Sequence, residues 1–146
     1  AKGVGGGFPV GAVITNEAVA DTVEPGDQAT TFGGSPIAAA AIRATYRIIE
    51  ESGLVEQVRT QSAGLIDRLS VLRNVREVRG MGYLLGIECE VPAKLLQERL
   101  FDERILVGTC SHPNTIRLLP PLTLGTEEWK QFLEVFEKLI IGISAD

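Results

Sequence analysis

Lys2, Thr30, Thr31 and Arg117 are the residues of this chain whose types and surroundings could do chemistry. A lysine amine attacks a carbonyl once it has shed its proton, and proteins recruit it by burying it or by condensing it with an aldehyde. Lys2 stands ahead of Gly3, Gly5, Gly6, Gly7 and Gly11, a backbone that can let a large ligand lie hard against it. Read alone, it is an ordinary solvated charge. In TTFGG, the hydroxyls of Thr30 and Thr31 and the amides bared by Gly33 and Gly34 suit a phosphate or another anion. The same five residues also read as a plain turn. In NTIRLLPP, alternation puts Ile116 and Leu118 on one face and Arg117 on the other, ahead of a rigid Pro120-Pro121 exit. A guanidinium at a strand end suits bidentate capture of a carboxylate, or is simply part of a solvated sheet face.

Other stretches carry less. GVGGGFPVG has no strand before it and places Pro9 where a helix would start, and GMGYLLG runs on into strand-like alternation. Neither is a dinucleotide-binding loop. His112 in SHPN reads as an exposed turn residue without a partner, and Glu50, Glu51, Asp102 and Glu103 as helix surface. Cys89 and Cys110 lack metal-ligand spacing and cannot build a disulfide framework, so no metal site is expected and free thiols fit a reducing cytoplasm.

The elements that position these residues come from 146 residues, one domain's worth of chain or part of a larger one. With 45% hydrophobic residues a sizeable core can form. A net charge of −5 and scattered basic residues argue against a nucleic-acid surface. No segment approaches the ~20 apolar residues that span a bilayer, and no signal peptide is visible.

GAVIT reads as a short buried strand, and Asn16 as the cap of a brief helix with Glu17 in its first turn. Ser35-Pro36 starts a helix whose Ala38, Ile42, Thr45 and Ile49 recur at helical spacing, until Gly53 breaks it. A second helix carries Leu54, Val58, Leu65, Leu69 and Leu72. Tyr83, Leu85, Ile87 and Cys89 alternate as a strand, and Pro92 starts a helix reaching about Glu103. ILVG and TIRLL follow as strands, and Thr126 caps a last helix with Trp129, Phe132, Leu133 and Phe136 on one face. The chain thus divides near residue 34. Residues 1–34 read as the tail end of a bigger domain, and 35–146 as a helix leading into a small α+β layer.

Four ordered stretches together resemble the class-III pyridoxal-phosphate-dependent aminotransferases. AKGVGGGFPVGAV resembles the segment around the cofactor lysine, and PGDQATTFGGSPIAAAA the threonine–glycine–glycine loop and following helix. VREVRGMGYLLGIE and NTIRLLPPLTL resemble two signature strands of the C-terminal domain, with IRLLPPLTL most similar to acetylornithine aminotransferases. The resemblance implies an α/β fold, the C-terminal part of a fold-type-I transferase: the end of the large domain plus a small α+β C-terminal domain. It implies pyridoxal 5′-phosphate as cofactor, with Lys2 condensing with its aldehyde. Thr31 would reach the phosphate of the neighbouring subunit in a cytoplasmic homodimer, with Thr30 assisting. Arg117 would bind the α-carboxylate of the amino-acid and 2-oxo-acid substrates. The expected activity is transfer of an amino group from an N-acetylornithine-like donor to 2-oxoglutarate, with no nucleic acid or membrane partner. Ser35 stands where the family usually has asparagine. The upstream phosphate loop, the stacked aromatic and the aspartate facing the pyridine nitrogen have no counterpart in the sequence. The other expectation is therefore a catalytically silent domain that serves folding or self-association.

Overall fold

The computed structural model describes residues 2–143. They form two compact units that divide between Gly53 and Leu54. The helix that follows residue 34 lies against the opening turn, within the same compact unit.

In the first unit a 3-10 turn over Lys2–Gly5 opens the chain. Helix α1 (Glu17–Ala20) is capped as the sequence predicts, with Asn16 Oδ1 accepting from the Val19 amide at 3.0 Å. Helix α2 (Pro36–Glu51) starts on a proline, whose missing N–H costs nothing in a first turn. Ser35 precedes it but makes no side-chain cap bond. Ala38, Ala41, Ile42, Thr45 and Ile49 form its half-buried stripe. Gly53, at φ 61, ends the run. The expected strand at GAVIT does not form: residues 11–15 are irregular, with Val13 and Ile14 90% and 96% exposed. A strand needs a ladder partner, and no described residue of the first unit pairs with this stretch.

The second unit is a four-stranded antiparallel sheet covered on one face by helices. Helix α3 (Leu54–Ser70) leads into strands β1 (Val75–Met81) and β2 (Leu84–Cys89), then helix α4 (Ala93–Asp102). Strands β3 (Gly108–Thr109) and β4 (Thr115–Leu118) and helix α5 (Thr126–Gly142) complete it. The strand order is β1-β2-β4-β3. The β1-β2 hairpin turns on Gly82 and Tyr83, with Gly82 at φ 55, the positive value a tight hairpin asks of its first loop residue. Of the predicted strand ILVG, only Gly108 joins the sheet, because β3 pairs with β4 over two residues. Gly125, not Thr126, occupies the cap of α5.

Alternation along β2 and β4 sends Leu85, Ile87, Cys89, Ile116 and Leu118 into the core with Leu96, Leu100, Phe136 and Ile140 of the helices. Each large side chain buried there contributes about 1.5–3 kcal/mol before entropy is subtracted. Trp129 packs edge-on to Tyr83 and Phe132, with ring centroids 5.0 and 5.9 Å apart, and its buried indole N–H has no partner among the described residues. The opposite sheet face is open and polar, as one-sided antiparallel sheets commonly are. It carries Glu77, Arg79, Glu88 and Arg117.

Candidate functional site

Within the first unit, Lys2 stands exposed at the head of a turn that its glycines shape. Gly6 and Gly7 take φ values of 59 and 101, a region side-chain-bearing residues rarely adopt. A Cβ on Gly6 would also stand 2.9 Å from Thr45 Oγ1 on α2. The amides of Gly6 and Phe8 donate to the carbonyls of Gly3 and Gly5, each at 3.0 Å, which locks the turn. Lys2 itself has φ 60, and its amine makes no hydrogen bond or ion pair among the described residues.

Thr30 and Thr31 lie in an exposed turn of the same unit. Thr30 Oγ1 accepts from the Phe32 amide at 3.2 Å, and the Gly33 amide donates to the Thr30 carbonyl at 3.1 Å. Thr30 is thereby tied into its own turn, whereas the Thr31 hydroxyl has no hydrogen-bond partner among the described residues. No hydrogen bond joins either threonine to Lys2.

Arg117 belongs to the second unit. The predicted alternation holds: Ile116 and Leu118 are buried, and Arg117 is exposed on the open face. It sits in a row that crosses the whole sheet, Arg79 opposite Gly86, Gly86 opposite Arg117, and Arg117 opposite Gly108. Arg117 makes no side-chain hydrogen bond or ion pair among the described residues. Together with Gly108 it also lines an open, largely apolar cleft of about 630 Å³.

Arg79, by contrast, is fully engaged. Its Nη1 reaches Glu77 Oε2 at 2.7 Å and Glu88 Oε2 at 2.9 Å, and its Nη2 donates to Thr115 Oγ1 at 3.3 Å. Thr115 Oγ1 lies 3.0 Å from His112 Nδ1, so the histidine that sequence leaves without a partner has one. The hydrogen bond from Arg79 holds the Glu88 carboxyl below the usual range, against an opposing desolvation effect, with His112 and Arg76 adding positive charge nearby. Hydrogen bonds to Glu88 and then Glu77 raise Arg79 in turn. Sequence reading missed this cluster. Its one local signal is the i, i+2 placement of charges, Glu77 with Arg79, whose relation to Glu88 and Thr115 depends on register.

The class-III aminotransferase family profile matches residues 1–140. The chain is 37% identical over 145 residues to the acetylornithine aminotransferase of Clostridium acetobutylicum, an alignment covering 96% of this chain and 37% of that one. It is 42% identical over 132 residues to the ornithine aminotransferase of Bordetella pertussis, covering 87% and 32% respectively. Among solved structures, the acetylornithine aminotransferase of Elizabethkingia anophelis superposes with a TM-score of 0.77 at 26% identity, over 89% of this chain and 36% of the other. An ornithine δ-aminotransferase of Plasmodium falciparum gives 0.78 at 27%, over 88% and 35%. The chain thus spans about a third of the length of these relatives.

Proposed function

This chain belongs to the class-III aminotransferases, and from that premise we propose that the intact protein moves an amino group from an N-acetylornithine-like amino acid to 2-oxoglutarate. The cofactor of this reading is pyridoxal 5′-phosphate, which when bound supplies an electron sink for the bonds at the substrate α-carbon. The donor set suits its two ends: a primary amine on Lys2 for the aldehyde, and the hydroxyls of Thr31 and Thr30 for the phosphate. In this reading Lys2 Nζ would hold the cofactor at its aldehyde end and would move a proton at the substrate α-carbon. Arg117 orients the reaction by gripping the α-carboxylate shared by donor and acceptor, a task for which its planar fork is suited. The protein acts as a cytoplasmic homodimer in which Thr31 serves the partner's site, and residues 1–34 belong to the larger, cofactor-binding domain.

The observation that carries the reading is the amine of Lys2, unpaired among the described residues, at the head of a turn whose Gly6 and Gly7 conformations favour glycine. The test is to mix the intact protein with pyridoxal phosphate, reduce with borohydride and map the modified peptide. A stoichiometric label on Lys2, absent from Lys2→Ala together with transamination of acetylornithine, is expected. Label scattered over surface lysines sinks the proposal. A second reading, a silent self-associating module, draws on the exposure of Val13, Ile14 and Phe32, at 90%, 96% and 84%. It predicts oligomerisation of the chain with no specific labelling at all.

A further inference from the structure

We infer that Gly108 is a positioning residue for Arg117: by carrying no side chain, it gives the guanidinium a bed on the edge strand. This inference rests on the reading of Arg117 as the carboxylate-binding residue. Gly80 in the same sheet and Gly82 in its hairpin turn have φ values of 138 and 55, a region that favours glycine. Gly108 has no positive φ, and its backbone would accept other residues. What needs the space is Arg117. A Cβ on Gly108 would stand 3.3 Å from both Nε and Nη2 of Arg117 and 3.4 Å from its carbonyl oxygen. Nε and Nη2 stand equally close, so the edge of the fork that they form is the part of the guanidinium nearest the glycine.

The other glycine of the row has a different neighbour. A Cβ on Gly86 would meet Thr115 Cγ2 at 3.3 Å and Arg79 Cγ at 3.7 Å, with no Arg117 atom nearer than these. Gly86 therefore makes room for the Arg79 cluster and Gly108 for Arg117. Glycine is a poor choice for a strand on entropy and packing, and in sheets it often marks a place where another group must approach closely. On a two-residue edge strand such as β3 there is little packing to lose, and the closely approaching group is the guanidinium. A Cβ at 108 makes the fork give way by a few tenths of an ångström, and a bulkier side chain by more, which leaves the charge in place but loosens its direction. A bidentate grip depends on that direction.

The experiment compares Gly108→Ala, Gly108→Val and the neighbouring control Thr109→Val in the intact protein. Thermal melts, steady-state kinetics with acetylornithine and 2-oxoglutarate, and NMR of the Arg117 Nε–Hε group, assigned by its loss in Arg117→Lys, are read together. Both glycine variants are expected to melt at or above the wild-type temperature, since β-propensity rises and unfolded-state entropy falls. KM for both substrates should rise about tenfold, the scale of one charge-assisted hydrogen bond, with kcat held within about threefold. The Arg117 Nε–Hε group should become mobile on the picosecond-to-nanosecond scale. Wild-type KM and an unmoved Arg117 signal in a stable Gly108→Val protein overturn the inference, as does an equal KM rise in Thr109→Val. If Arg117→Lys leaves both KM values unchanged, the carboxylate reading falls by itself. The Nε–Hε mobility still decides whether Gly108 holds Arg117.

Discussion

Arg79 and Arg117 point to the same side of the sheet with Gly86 alone between them in the pairing register. One is bonded to Glu77, Glu88 and Thr115; the other has no partner among the described residues. Two like charges in one row are tolerable because the first is neutralised twice over, which leaves the second as an available cation on the open face.

The pair separates by mutation. Arg117→Lys keeps the charge but loses the fork, and should raise KM for amino-acid and 2-oxo-acid substrates by about ten- to a hundredfold, with little change in melting temperature. Arg79→Lys should do the reverse, sparing KM and lowering the melting temperature by a small amount, because its partners are carboxylates of the same sheet. Kinetics and melts of the two variants side by side check this; equal KM values for wild type and Arg117→Lys remove Arg117 from the site.

Acid should act on the sheet through Glu88. Its folded carboxyl titrates below the unfolded one, so between those two values the unfolded chain binds more protons. The stabilisation is complete above the ordinary carboxylate range and drains away as pH falls through the lowered folded value. Glu88→Gln should flatten this part of the stability–pH curve while leaving stability near neutrality only modestly reduced. Urea melts across the acidic range of both proteins measure the difference, and parallel curves contradict the assignment.

The two thiols should differ sharply in reactivity. Cys89 is fully buried, and desolvation, followed by the charge of Glu88, pushes it up to about 12. Cys110 is exposed on the loop before His112. An alkylating reagent at neutral pH should modify Cys110 within minutes and Cys89 only at the rate at which the second unit opens. Mass spectrometry of Cys110→Ser, which isolates Cys89, gives that opening rate; fast labelling of Cys89 in the native protein contradicts the burial.

Local patterning made much of the second unit legible. The alternation from Tyr83 to Cys89, the stripe from Trp129 to Phe136 and the split of Ile116 and Leu118 from Arg117 are all periodicities read within a few residues. What escaped depended on partners far along the chain. GAVIT has strand composition but no ladder partner among the described residues, and β1 has a mostly exposed, charge-rich pattern that hides its role as half of a hairpin. The same holds for the site. Arg117 and Lys2 announce themselves by type and setting, whereas the Arg79–Glu88–Thr115–His112 cluster and the bed on Gly108 exist only once four strands are in register. Register is a tertiary property, set by what the buried face packs against.

Trp129 is the sole tryptophan of the chain, wedged between Tyr83 and Phe132 in the second unit with its indole N–H unpartnered among the described residues. Tryptophan fluorescence is therefore a local gauge: its emission reports on the packing of the sheet-bearing unit around that indole. A denaturation curve drawn from that one fluorophore describes part of the molecule, and a tracer placed on the lysine turn is needed to watch the remainder.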